Sequence, residues 1–142
     1  MTTFVLAALL FLAVKHFLFD ALLQSPYQYL NKGDIRHPGG YIHAIGHTVG
    51  SYLALQLACI ISGDLSHGEN ALIMVSVLDG VLHYAIDYTK VNLGKNTRWS
   101  SGGKDEDGRA CLRIYNDKYF YALIADQCLH FATYVFIVWI VS

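Results

Sequence analysis

Charge is what this sequence has least of. Asp, Glu, Lys and Arg make up 15% of its 142 residues against 54% hydrophobic ones, and mean hydropathy is +0.36. Soluble domains carry roughly 25% charged residues, so the balance points to the membrane class. Net charge is −1 and no basic stripe occurs, which gives no reason to expect nucleic acid as a partner. The three cysteines, Cys59, Cys111 and Cys128, have no CxxC spacing, so neither a disulfide framework nor a zinc ribbon is indicated. Cys59 and Cys128 lie in apolar runs and read as small buried thiols. No Gly-x-Ser-x-Gly elbow is present, and no cysteine sits where a histidine pair would activate it, so nucleophilic catalysis finds little support. The first apolar run has neither a basic n-region nor an Ala-x-Ala site, so it reads as a retained helix.

What is present is four apolar runs, at 3–24, 40–61, 70–89 and 119–141. Each is about 20 residues long, enough to cross about 30 Å of hydrocarbon. The chain reads as one integral-membrane domain, 1–142. Connection 25–39 carries Lys32 and Arg36. Connection 90–118 carries Lys90, Lys95, Arg98, Lys104, Arg109, Arg113 and Lys118, whereas 62–69 has Asp64 and Glu69 and no lysine or arginine. By the positive-inside rule, 25–39 and 90–118 are cytoplasmic and both termini lie on the opposite side.

Each apolar run holds one pair of ionisable residues at i, i+4: His16 and Asp20, His43 and His47, His83 and Asp87, Asp126 and His130. Residues at that spacing share a helix face. Asp79 joins His83 and Asp87 in one stripe. Lone charges in hydrocarbon cost several kcal/mol, so such stripes must face protein, water or a metal. With alternating helix directions all four pairs fall in the cytoplasmic half of the bilayer. The order His-x3-Asp, His-x3-His, then His-x3-Asp, Asp-x3-His also repeats. The expected fold is all-α: a four-transmembrane-helix bundle built from two similar hairpins, with the polar site in its cytoplasmic half. Gly46 with Gly50, and Ser76 with Gly80, read as close helix contacts.

Five histidines and three aspartates offer imidazole and carboxylate, a mixture that suits zinc, manganese or iron. One His/Asp pair is ordinarily a self-neutralising couple; four at one depth favour a metal centre of one or two ions. A metal-free network for proton or ion passage competes with that reading. Asp79 and Gln127 read as hydrogen-bond partners of the ligands. Lys90 either snorkels to the interface or, with Lys32, Lys95, Arg36 or Arg98, holds an anionic head group. Lys15 either snorkels or pairs with an aspartate. Segment 93–108, with Trp99, reads as a disordered loop or an interfacial lid.

His16-x3-Asp20-x3-Gln24 with Asn31-Lys32-Gly33, His43-x3-His47, His83-x3-Asp87-x2-Lys90 and Asp126-Gln127-x2-His130 together resemble the motifs of a small multi-pass membrane family of bacteria and their phages. That family carries no assigned function. The likeness covers the chain except connection 90–118. Ala21 departs from the Phe or Leu common after the first aspartate, with no chemical consequence. The resemblance implies a multi-pass protein of the bacterial inner membrane. A looser likeness is to membrane-bound metal-dependent hydrolases with intramembrane histidines.

The resulting expectation is a metal-dependent hydrolase acting on a lipid-linked or other amphiphilic phosphate at the cytoplasmic leaflet. His16, Asp20, His43, His47, His83, Asp87, Asp126 and His130 would bind metal. His83, Asp87 and Asp126 are the candidate catalytic residues, and Lys90, Lys32 or Arg98 would orient the anion. The alternatives are a metal or proton transporter and a non-catalytic membrane interaction protein with a structural polar core. The far halves of runs one, two and four, at 3–14, 52–61 and 131–141, are almost uniformly apolar, which speaks against a continuous conducting path. An oligomer that formed a multi-subunit pore would restore such a path to the transport reading.

Overall fold

Each apolar run is helical in the computed structural model, which describes residues 2–95, 102–104, 110–112 and 117–142. Helix α1 (Thr2–Phe17) continues into a π-helical turn (Leu18–Leu22), followed by α2 (Pro26–Asn31), α3 (Pro38–Ser62), α4 (Glu69–Gly94) and α5 (Asp117–Val141). Four of these helices are long and apolar enough to cross a membrane. Between α4 and α5 lies a short antiparallel pair, β1 (Gly102–Lys104) with β2 (Ala110–Leu112), in which Gly103 faces Cys111. Three residues per strand leave no readable alternation, and this pair adds a strand element to a fold expected to be purely helical. Arg98 and Trp99 lie outside the described residues.

Two boundaries differ from the sequence reading for local reasons. Connection 25–39 contains α2, because Pro26 is a helix starter at the first position and Ser25 with Gln28 forms a capping box. Helix α4 runs past Thr89 to Gly94, since nothing in Lys90-Val91-Asn92-Leu93 breaks a helix. Its last turn receives the end of α2: Asn92 Nδ2 and Lys95 Nζ both donate to the Gly33 carbonyl, each at 3.2 Å. At the opposite end Gly63 closes α3 in the left-handed conformation, φ 67°. In that turn Ser66 donates its hydroxyl and amide to Asp64, which holds the carboxyl below its usual range.

The bundle is divided along its length. One end is an apolar core of Phe4, Ala8 and Leu12 (α1), Leu55 and Ala58 (α3), Leu72 and Val75 (α4), and Ile137 and Val138 (α5). The other end buries polar groups: His16, His43, His47, His83, Asp87, Asp126 and His130 are each no more than 4% exposed. Outward faces carry Leu6, Leu10, Ile45, Leu53, Val81, Val135 and Trp139. Buried charge beneath an exposed apolar coat is the inverse of a soluble helix bundle and is what a hydrocarbon solvent selects. Cys59 is buried in the core, but Cys128 is exposed on α5, contrary to the expectation for both thiols. Its place on the helix turns it away from the face shared by Asp126 and His130.

Glycine sets the closest approach. A Cβ on Gly80 would overlap Thr48 Oγ1 and come within 2.9 Å of the Ala44 carbonyl oxygen, so α3 and α4 meet backbone to side chain there. Gly46 and Gly50 instead face Phe19 and Lys15. Gly80→Ala is expected to lower stability by about 1–3 kcal/mol, the usual cost of overpacking, because the Ala44 carbonyl cannot swing aside. Thermal unfolding in detergent reads this; an unchanged midpoint would show that α3 and α4 separate freely.

Candidate metal centre

The site begins with the π turn. The Leu23 amide bonds to the Leu18 carbonyl at 2.9 Å, an i→i+5 closure that widens the end of α1 around Asp20. Asp20 then uses both oxygens. Its Oδ2 lies 3.2 Å from His16 Nε2 on the same helix. Its Oδ1 lies 2.9 Å from His43 Nε2, 3.1 Å from His47 Nε2 and 3.6 Å from His83 Nε2. His43 Nε2 and His83 Nε2 are 3.2 Å apart. A tetrahedral ion with ligands at 2.0–2.1 Å would separate them by about 3.3 Å. The observed spacings straddle that value, and the four candidate ligand atoms all fall within 4.8 Å of one another.

His83 is the hub. Its ring stacks on His47 with centroids 3.4 Å apart, and lies 4.2 Å from His130, 5.1 Å from His43 and 5.6 Å from His16. It belongs to a second triad with His16 and His130, and His130 in turn joins a third with Asp87 and Asp126. Asp87 Oδ2 sits 3.4 Å from both His43 Nε2 and His83 Nε2. Asp126 Oδ1 and His130 Nε2 face one another at 3.6 Å, and both are buried without a hydrogen-bond partner among the described residues. Unsatisfied buried ligand atoms carry a desolvation cost that an ion would remove. All eight residues singled out as metal ligands thus lie in one cluster.

Lysines occupy its margins. Lys32 Nζ donates to Asp87 Oδ2 at 3.0 Å, and Lys90 Nζ to Asp126 Oδ2 at 2.6 Å. Two of the three cations expected to face an anion, Lys32 and Lys90, therefore rest on carboxylates of the cluster. Lys15, 4% exposed, donates to Asp79 Oδ2 at 2.8 Å and reaches His47 Nδ1 at 3.1 Å. Of its two sequence readings, pairing with an aspartate is the one observed. For His47 to bind an ion through Nε2 as a neutral imidazole, its ring proton must sit on Nδ1, so the Lys15 ammonium would turn from that nitrogen to Asp79 alone. Asp79 touches the site through Lys15, and Gln127 bridges it directly, accepting from His16 Nε2 at 3.2 Å and donating to Asp126 at 3.0 Å.

Three participants escaped the sequence reading as site residues. Tyr134 OH lies 2.8 Å from His16 Nδ1, Ser51 Oγ donates to Asp79 at 2.5 Å, and Gln24 Nε2 donates to His43 Nε2 at 3.1 Å. Each lies four residues beyond a pair member, at His130+4, His47+4 and Asp20+4, so the helical stripe itself was the available signal.

No curated protein and no solved structure matches the chain. The family model described as a protein of unknown function, DUF3307, matches residues 5–142, so the chain belongs to that family.

Proposed function

We propose that this chain is an intramembrane metal-binding protein that hydrolyses a lipid-linked or other amphiphilic phosphate at the cytoplasmic face of the bacterial inner membrane. The observation that carries the reading is the convergence of three imidazole Nε2 atoms, from His43, His47 and His83, on one oxygen of Asp20. An ion there would supply Lewis acidity and activate water. His83 and Asp87 tie that group to Asp126, and Lys32 and Lys90, with Arg98, are the cations that would orient the anion.

The charge balance favours one tightly held zinc, manganese or iron ion. Lys15, Lys32 and Lys90 each neutralise one aspartate, whereas Asp20 is paired only with histidines among the described residues. A second ion at Asp87, Asp126 and His130 would require two lysines to withdraw, which an anionic substrate would promote. Conduction is the weaker alternative, because the apolar core closes the other half of the bundle. Cytoplasmic placement of 25–39 and 90–118, with both termini outside, follows from their lysines and arginines. The contact of Lys95 with Gly33 supports it by joining both connections at one end. Two related hairpins are supported by the matching use of Asp20 toward His43 and His47 and of Asp87 toward His130.

Elemental analysis of detergent-purified protein tests the reading. The wild type should hold about one transition-metal ion per chain, and His83→Ala with Asp87→Ala should lose most of it. Metal without turnover of a phospholipid panel would favour transport; no metal would make the cluster a structural hydrogen-bond network. Lys32→Met with Lys90→Met should raise the ion count toward two.

A further inference from the structure

Between α4 and α5 runs a groove of about 540 Å³, within the range of small-molecule sites. Its walls are Leu82, Ala85 and Ile86 from α4 and Ala122, Ala125 and Leu129 from α5, and among the described residues its charged lining is Lys90 and Asp126. The alanines leave the space: opposite larger side chains they cannot fill the gap between the two helices. We infer that this groove binds one aliphatic chain of an anionic amphiphile, whose head group is taken by Lys90. For the fate of that head group the inference rests on the hydrolase reading; binding of the chain does not.

Charge complementarity selects the occupant. Lys90 is 28% exposed while its partner Asp126 is 3% exposed, so the ammonium is the member of the pair that an incoming head group can reach. A neutral ligand would leave the Lys90–Asp126 pair intact and gain nothing from it. An anion can accept from Lys90 and free the Asp126 carboxylate to turn toward His130 Nε2, which is buried without a hydrogen-bond partner among the described residues. The groove therefore leads from an apolar slot, through a displaceable ion pair, to the Asp87, Asp126 and His130 triad. A wall made of two membrane-length helices admits the chain sideways from the bilayer.

The test uses full-length protein in phosphatidylcholine nanodiscs and three probes: dodecyl phosphate, dodecanol and inorganic phosphate. Binding is measured by calorimetry, with metal content determined on the same samples. Dodecyl phosphate should bind at least about tenfold more tightly than either partial probe. Ala122→Trp should abolish the advantage over inorganic phosphate, and Lys90→Gln the advantage over dodecanol. Equal affinity for dodecyl phosphate and inorganic phosphate overturns the chain site; equal affinity for dodecyl phosphate and dodecanol overturns the head-group role. The wild-type ranking needs no variant to fold. If Ala122→Trp changes oligomeric mass but not dodecyl phosphate binding, the groove is a seam for a second copy and the inference fails. The full ranking in protein without metal upholds the groove while removing the metal reading; metal without the ranking does the reverse.

Discussion

Asp20→Asn is expected to purify almost free of metal while keeping its fold. The carboxylate is the common neighbour of His16, His43, His47 and His83, and its Oδ1 alone meets three imidazole nitrogens. Replacing it with an amide removes the single negative charge in a ligand group that is otherwise neutral. Loss of an outer hydrogen-bond partner already costs about 10–100-fold in metal affinity, and loss of a ligand should cost more. Stability should change little, because the side chain is 23% exposed and the amide still hydrogen-bonds. Equilibrium dialysis against zinc, with thermal unfolding as the control, checks both halves. Retention of wild-type affinity would show that Asp20 only orients the histidines.

Lys15→Met should be the most destabilising of the simple charge removals. Its partner Asp79 is 1% exposed and, among the described residues, would be left with the Ser51 hydroxyl as its side-chain donor. Breaking a buried pair from one side costs about 3–5 kcal/mol, since the remaining charge has no compensation. The methionine keeps the stem that Gly50 packs against, so the loss reports charge rather than volume. Adding Asp79→Asn should restore most of the stability, giving a large coupling in a double-mutant cycle read by unfolding in detergent. If Lys15→Met alone is neutral, the ammonium escapes to the interface and the ion pair contributes nothing.

The sequence was informative where the chemistry follows helix geometry. His16, His43, His83 and His130 belong to i, i+4 pairs, and that spacing alone places both members on one face. The same rule carried one step further reaches Gln24, Ser51 and Tyr134. The π turn at Leu18–Leu22 had no comparable signature: no proline or glycine marks it, and its effect is to seat Asp20 among histidines of other helices. Lys15 was ambiguous because a residue beside His16 points about 100° away; only its long stem brings Nζ to Asp79 and His47. Lys32 belongs to a connection, where periodicity says nothing about what a side chain reaches. The groove between α4 and α5 was hidden because Ala85, Ala122 and Ala125 look like ordinary helix formers until the opposing walls are known. The short strand pair lies in a segment too polar and too brief for its pattern to register.

The chemistry claimed for the cluster can be read directly by X-ray absorption at the zinc edge, on protein loaded with one equivalent of the metal. Four nitrogen or oxygen ligands at about 2.0–2.1 Å, with outer-shell scattering from three imidazoles and none from sulfur, are expected of His43, His47, His83 and Asp20. A shell containing sulfur at about 2.3 Å, or oxygen ligands without imidazole, would contradict the assignment.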